Sequence, residues 1–100
     1  MQYLITKFIQ VWIKEMVEYE NLQTLDDLVE CGYCADLANR IWENFREVRI
    51  QSCGNPIHVW VEYDGLHFDM QNPEGVSNWK NLLYFKDFPQ AMLEGLELNE

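Results

Sequence analysis

The stretch His58–Asp69, which reads HVWVEYDGLHFD, carries the clearest structural signal in the chain. Two β-rich runs flank Asp64-Gly65, and an Asp-Gly pair between alternating runs is typical of a hairpin with a two-residue turn. A one-residue slip would place the apolar side chains in water, so the register is well specified. The turn predicts six facing pairs: Tyr63 with Leu66, Glu62 with His67, Val61 with Phe68, Trp60 with Asp69, Val59 with Met70 and His58 with Gln71.

Side chains alternate across a strand, so the two faces of this hairpin differ. One face is suited to a core and carries Val59, Val61, Tyr63, Leu66, Phe68 and Met70. The other face carries His58, Trp60, Glu62, His67 and Asp69. His58 and Asp69 are diagonal neighbours there, at a spacing of roughly 7–8 Å that longer side chains can bridge. We therefore expect an imidazole to meet a carboxylate on this hairpin.

The sequence before the hairpin predicts three helices and a strand. Residues 3–20 have apolar residues at helical spacing, and the Thr24–Asp27 spacing resembles a helix cap for a second, short helix that ends near Gly32. Residues 34–46 form the third predicted helix, with Cys34 at its N-terminus, and residues 48–53 are predicted as a strand. After the hairpin, the pattern predicts a short strand over 82–85 and a terminal helix from Pro89, with Met92, Leu93 and Leu96 as its apolar residues.

The composition bounds the class of protein. The chain has 100 residues, 48% of them hydrophobic and 14% aromatic, which predicts one folded domain over residues 1–100. Seventeen acidic and seven basic residues give a net charge of −10. No basic patch of useful size can be assembled from so few cations, so nucleic-acid binding through phosphate contacts is not expected. An acidic surface favours solubility, and it would favour a basic protein as partner.

The sequence also predicts where the protein works. No segment reaches the length of a membrane span, and polar residues interrupt the apolar residues near the start, unlike a signal peptide. Three cysteines, an odd number, fit a reducing compartment. We therefore expect a cytoplasmic protein that does not contact membranes.

Three residues form a candidate catalytic set. Cys34 lies at a predicted helix start, where backbone amides and the helix dipole favour an anion and so lower the pKa of a thiol. His58 opens a predicted strand, and Asp69 is diagonal to it on the next strand. A thiol, an imidazole and a carboxylate in this order are the nucleophile, base and orienting group of cysteine hydrolases.

Two short motifs resemble a known family. The run Gly32–Ala38, GYCADLA, resembles the Gly-x-Cys helix start of transglutaminase-like proteins, and His58–Glu62 resembles their His-x-Trp-x-Glu strand. The resemblance covers residues 25–73 and implies an α+β fold with a papain-like, transglutaminase-like core, in which N-terminal helices pack on a small antiparallel sheet. It also implies that Cys34 is the nucleophile, His58 the general base and acid, and Asp69 the group that holds the imidazole.

The chemistry that the resemblance implies is acyl transfer through a thioester, as in a cysteine peptidase, an amidase, a transglutaminase or a deamidase. The substrate would be a protein, a peptide or an amide, and no cofactor is called for. An oxyanion hole needs hydrogen-bond donors near the nucleophile. The backbone amide of Cys34 is a natural candidate, and the side chains of Gln23 and Trp60 are two others.

A second hypothesis uses the same atoms as metal ligands. Cys31, Cys34, Cys53 and His58 have the spacing C-x2-C followed by C-x4-H, which fits a closed tetrahedral zinc site. In that case the chain would be a small zinc-binding module, and Asp69 would orient the ligating imidazole. The helix pattern after Cys34 and the His-x-Trp-x-Glu run favour the enzyme over this alternative.

A third hypothesis needs no chemistry. With a net charge of −10, the chain could be a catalytically inactive inhibitor or adaptor that presents an acidic surface on the same scaffold. The three hypotheses separate at Cys34, which is a nucleophile, a ligand or a bystander.

Overall fold

The computed structural model describes residues 1–30, 32–54, 57–90 and 92–93. The N-terminal half begins with three helices, α1 (Gln2–Tyr19), α2 (Leu25–Glu30) and α3 (Cys34–Asn44). Three strands follow, β1 (Arg49–Gly54), β2 (Ile57–Tyr63) and β3 (Leu66–Phe68). A 3-10 helix at Trp79–Asn81 then leads into α4 (Leu83–Asp87). The chain is therefore an α+β protein with a small antiparallel sheet, as the sequence predicted.

The hairpin turn forms at Asp64-Gly65, and both residues have positive φ angles, 52° and 79°. Positive φ at both central positions is the requirement of the tight turn that matches the twist of the flanking strands. Three of the six predicted pairs are confirmed: Tyr63 with Leu66, Glu62 with His67 and Val61 with Phe68.

The outer three pairs of the predicted register were wrong, because β3 ends at Phe68. One carboxylate oxygen of Asp69 accepts hydrogen bonds from the backbone amides of Gln71 and Asn72, and this turns the chain away from β2. The loop returns at Gly75, where φ is +88°, and Val76 then pairs with His67 on the outer edge of β3.

The sheet has the order β1-β2-β3, with both pairs antiparallel. β1 pairs with β2 along its whole length, from Arg49 opposite Glu62 to Gly54 opposite Ile57. β2 is therefore the central strand, but its first half has β1 alone as a ladder partner among the described residues. His58 lies in that first half.

The first core lies between the helices and the predicted apolar face of the hairpin. Its buried residues are Ile5, Ile9, Trp12, Leu28, Leu37, Ala38, Ile41, Val48, Val61, Phe68 and Met70. The side-chain oxygen of Thr24 accepts a hydrogen bond from the amide of Asp27 at 3.2 Å, so the predicted cap of α2 is confirmed. α3 ends at Asn44, two residues before the predicted end, because Phe45 leaves the helical conformation at φ −135°.

A second apolar cluster covers the opposite face of the sheet, which carries His58 and Trp60. It consists of buried Cys53, Trp60, Leu82 and Phe85, with Val76, Trp79, Tyr84 and Met92 packed against it. The part of the hairpin's second face that carries His58, Trp60 and Asp69 is thus interior, and His58 and Asp69 are 4% and 3% exposed.

The strand predicted over 82–85 was wrong, since these residues follow a 3-10 helix and enter α4. The side chain of Asn78 accepts a hydrogen bond from the amide of Lys80 at 3.0 Å and starts the helical turns. Leu82 and Phe85 are buried whereas Leu83 is 41% exposed, which is a helical spacing. Residues 89–90 and 92–93 are helical, and Leu96 of the predicted terminal helix lies outside the described residues.

Within the described part of the chain, none of the helices combines the length and the apolar character that crossing a membrane requires.

Candidate active site

His58 and Asp69 form a buried hydrogen-bonded pair. Nε2 of His58 lies 2.8 Å from Oδ2 of Asp69, so the imidazole donates its Nε2–H to the carboxylate. The predicted contact is therefore present, although Asp69 reaches His58 from the first loop position after β3 and not from within the strand. This bond leaves Nδ1 as the ring nitrogen that can take up a proton.

The carboxylate of Asp69 is fixed on both oxygens. Oδ2 accepts from His58, and Oδ1 accepts from the amides of Gln71 at 3.1 Å and Asn72 at 2.8 Å. Both donors to Oδ1 are backbone amides of one loop, so the orientation of the carboxylate does not depend on the rotamer of another side chain. The loop thus sets the direction from which the imidazole is held.

Cys34 lies at the first turn of α3 and is half-buried, with a free thiol. The interaction with His58 lowers the pKa of the Cys34 thiol below its ordinary 9.0, against the opposing effect of burial. The backbone amides of Val59 and Ala35 act in the same direction as His58. Nδ1 of His58 is buried and makes no hydrogen bond of ordinary geometry, so the thiol is near the ring without a formed bond. Such bonds are often long in resting sites and shorten when substrate binds.

The pKa of His58 shifts in the complementary direction. Burial works against the charged imidazolium, but the hydrogen bond to Asp69, the proximity of the Cys34 thiol and the negative charges of both groups outweigh it and raise the pKa above its ordinary 6.5. A lowered thiol pKa beside a raised imidazole pKa moves the equilibrium from the neutral pair toward the thiolate–imidazolium pair. This pair is the reactive form of a cysteine nucleophile.

The Val59 amide reaches the thiol because β3 is short. His67 directs its N–H and C=O to Val76, away from β2, so the bonds between β2 and β3 come from the alternate residues Tyr63 and Val61. Val59 is the next residue in that series, and it lies beyond the end of β3. Its N–H therefore points to the side of the sheet where Cys34 lies, and it contributes to the lowered thiol pKa.

Tyr84 covers the imidazole, a role that the sequence analysis missed. Its ring stacks on His58 with centroids 4.1 Å apart and planes 9° apart. Burial raises the pKa of Tyr84, and the negative charge of Cys34 raises it further. The signal that could have found it is the spacing of Leu82 and Phe85, which predicts a helix and so carries Tyr84 to the His58 face.

Trp60 lies beside His58, but its polar atom faces elsewhere. The indole ring stacks near the imidazole at 5.8 Å, and its Nε1–H donates to Nδ1 of His67 at 3.0 Å. The donor that was a candidate for the oxyanion hole is thus engaged by His67. Gln23, the other side-chain candidate, is exposed in the bend before α2.

The described residues do not include a group of side chains that could form the zinc site of the alternative hypothesis. Cys31 lies outside them. Of the other three, Cys53 is buried in the second apolar cluster and pairs with His58 in the β1–β2 ladder, while the thiol of Cys34 interacts with His58. Within the described chain, no three His, Cys, Asp or Glu side chains are grouped so that they could hold a metal ion.

Comparison of the chain with protein-family models, with curated proteins and with solved structures found no match in any of the three.

Proposed function

We propose that this chain is a thiol-dependent acyl-transfer enzyme with a papain-like, transglutaminase-like core, in which Cys34 is the nucleophile, His58 the general base and acid, and Asp69 the orienting group. One observation carries the proposal. The buried imidazole of His58 donates a hydrogen bond from Nε2 to a fixed carboxylate, and its Nδ1 remains available to a thiol at a helix start. The two opposed pKa shifts, down for Cys34 and up for His58, are those that such a pair needs.

The first half-reaction forms the thioester. The Cys34 thiolate attacks the carbonyl carbon of an ester or amide, and the electron pair of the C=O bond moves to oxygen. When the tetrahedral intermediate collapses, the bond to the leaving group breaks, and imidazolium Nδ1–H of His58 gives its proton to the leaving amine or alkoxide. Asp69 keeps the second nitrogen protonated and so fixes the tautomer throughout.

The second half-reaction releases the acyl group. Neutral His58 takes a proton at Nδ1 from the acceptor, which is water in hydrolysis or a primary amine in transamidation. The acceptor attacks the thioester carbon, the C–S bond breaks, and the thiolate–imidazolium pair is restored. Water gives a carboxylic acid and an amine gives an amide, so neither route needs a cofactor.

The backbone supports the developing oxyanion. The amides of Val59 and Ala35 already stabilise negative charge on the Cys34 sulfur. In a tetrahedral intermediate the oxyanion lies two bonds from the sulfur, and we propose that the same amides donate to it. Preorganised amides of this kind are worth roughly 10²–10³ in rate for each donor removed. They replace Trp60, whose N–H is engaged by His67.

The substrate class follows from the chemistry of the site. A half-buried thiol and an aromatic wall formed by Tyr84 suit the carbonyl of a protein, a peptide or a small amide. A net charge of −10 favours a basic protein as substrate or partner and opposes nucleic-acid phosphates. We further propose that the protein acts in the cytoplasm, where its cysteines remain reduced.

The test is formation of an acyl-enzyme with an activated ester. We expect p-nitrophenyl acetate to release a burst of about one equivalent of p-nitrophenolate and to leave acetyl on Cys34, since thioester formation precedes a slower deacylation step. Cys34→Ser and His58→Ala should lose the burst while keeping the far-ultraviolet spectrum. Mass spectrometry of tryptic peptides separates Cys34 from Cys53, the internal control.

Two outcomes would overturn the proposal that the chain is an enzyme. If Cys34→Ser retains the burst, the thiol is not the nucleophile, and an acidic binding protein becomes the better hypothesis. If one equivalent of zinc protects Cys31, Cys34 and Cys53 together from alkylation, the chain is a metal-binding module. Peptides that contain glutamine, with and without a primary amine acceptor, then distinguish hydrolysis from transamidation in an active protein.

A further inference from the structure

Asn72 contacts the site from both of its ends. Its backbone N–H donates to Oδ1 of Asp69 at 2.8 Å. Its side-chain oxygen accepts a hydrogen bond from the backbone N–H of Leu83 at 3.0 Å, eleven residues further along the chain. One residue therefore bonds both the loop that holds the carboxylate and the first residue of α4.

The bond to Leu83 replaces a missing helix cap. The first amides of a helix have no partner within the helix, and a side-chain oxygen at the preceding position commonly accepts from them. In α4 that position is Leu82, which has no polar side-chain atom and makes no cap bond. Asn72 supplies the acceptor from a distant part of the chain, and it does so to a helix of only five residues.

The helix that Asn72 caps carries the cover of the imidazole. Tyr84 follows Leu83 directly and stacks on His58 at 4.1 Å, nearly parallel to the ring. The imidazole is thus held at its edge by Asp69 and on its face by Tyr84. Asn72 is bonded to both of these restraints, one through each end of the residue.

We propose that Asn72 is a positioning residue that couples the Asp69 loop to the aromatic cover on His58, so that the imidazole plane and the carboxylate move as one unit. The inference rests on the proposed function, because it assigns the coupling to the Cys34–His58 pair. Loss of the side-chain acceptor frees the first turn of α4, lets Tyr84 leave the ring face, and allows His58 to rotate away from the sulfur.

The experiment compares three variants by the rate at which iodoacetamide alkylates Cys34 as a function of pH. We expect Asn72→Ala to lower the rate at neutral pH by about three- to tenfold, the factor that matches one hydrogen bond of ordinary net strength, and to move the profile toward that of an ordinary thiol. Asn72→Asp keeps the acceptor oxygen and should restore the wild-type profile. Asn78→Ala is the matched control, since Asn78 also accepts from a backbone amide, that of Lys80, in the same segment.

A double variant tests the route of the coupling. If Asn72 acts through the cover, then Asn72→Ala should change the profile little once Tyr84→Ala is present. Additive effects, or an Asn72→Ala profile equal to that of Asn78→Ala, would overturn the inference. A wild-type Cys34 profile that already matches an ordinary thiol would instead overturn the proposed function. Thermal unfolding of each variant checks that the fold is retained.

Discussion

The two ring nitrogens of His58 have different surroundings, and each is set by a short segment of the chain. Nε2 donates to Asp69, whose carboxylate is fixed by two backbone amides. Nδ1 is left for Cys34 and is buried. Because Nε2 is engaged by the carboxylate, Nδ1 is the ring nitrogen that can act as a base, and this makes the arrangement a candidate for catalysis.

Asp69→Asn should keep the fold and lose the reactive thiol. An asparagine oxygen still accepts from Gln71 and Asn72, but its NH₂ then faces Nε2 and favours the tautomer that carries its proton on Nδ1. Each unit by which the pKa of Cys34 rises lowers the thiolate fraction about tenfold at a pH well below that pKa. Alkylation of Cys34 at pH 7 measures the loss, and retention of the wild-type rate would show that Asp69 is only structural.

The alkylation rate of Cys34 should rise at a lower pH than the alkylation rate of an ordinary thiol. The pKa of Cys34 is lowered from its ordinary 9.0 and the pKa of His58 is raised from its ordinary 6.5, so both shifts move the equilibrium toward the ion pair and the thiolate forms at lower pH. Burial raises the pKa of Cys53, which should react only at higher pH. A Cys31→Ser background leaves these two cysteines to be compared by alkylation rate, and equal profiles would contradict the pair.

The site could be predicted from the sequence only where a local rule fixed it. An Asp-Gly turn sets the register of the three inner hairpin pairs and brings His58 and Asp69 to the same end of the hairpin, but the contact itself is made by Asp69 from the loop after β3. The helix start at Cys34 followed from apolar periodicity. Tyr84 was missed because its contact depends on packing between segments that are distant in sequence. A short apolar run such as 82–85 does not by itself distinguish a strand from a helix.

The loop after β3 has one position where glycine is required. At Gly75 φ is +88°, and an added Cβ would lie 2.9 Å and 3.0 Å from two ring carbons of Phe68. Gly75→Ala should therefore destabilise the protein by about 2–4 kcal/mol, from backbone strain plus overpacking. Urea unfolding measures the change.

The matched control for this prediction is Gly65→Ala. Gly65 has a similar φ of +79°, but nothing lies within 4 Å of its added Cβ, so the backbone term of about 1–2 kcal/mol should remain alone. Equal losses in the two variants would show that Phe68 moves aside without cost. The early end of β3 could not be predicted from the sequence, because it depends on hydrogen bonds that the side chain of Asp69 accepts from the following loop.

The sheet is covered on both faces, and the second cover is small. Helices α1 to α3 bury one face, while the other face is covered by side chains that pack against Cys53 and Trp60 of the sheet, namely Val76, Trp79, Leu82, Tyr84, Phe85 and Met92. His58 lies beneath this second apolar cluster, so the exclusion of water from His58 depends on the stability of the cluster. A minor opening of α4 would expose the imidazole before the first core is disturbed.

Two adjacent leucines test the second cover. Leu82 is fully buried and Leu83 is 41% exposed. Leu82→Ala should lower the free energy of unfolding by about 2–5 kcal/mol, because a buried cavity is left. Leu83→Ala, with the same atoms removed at the surface, should change it by at most about 0.5 kcal/mol. Denaturant unfolding distinguishes the two, and similar losses would argue against α4 as a helix.

Asp69 serves the fold and the proposed chemistry with different oxygens, and this has an evolutionary consequence. Oδ1 ends a strand and closes a loop, whereas Oδ2 orients the base. A descendant that lost its chemistry would be free to replace Cys34, since the hydrogen bonds that end β3 and close the loop are accepted by Asp69. It would still be under selection to keep Asp69 or to replace it with asparagine. Inactive relatives in which Cys34 has been replaced should therefore retain Asp69, or an asparagine there.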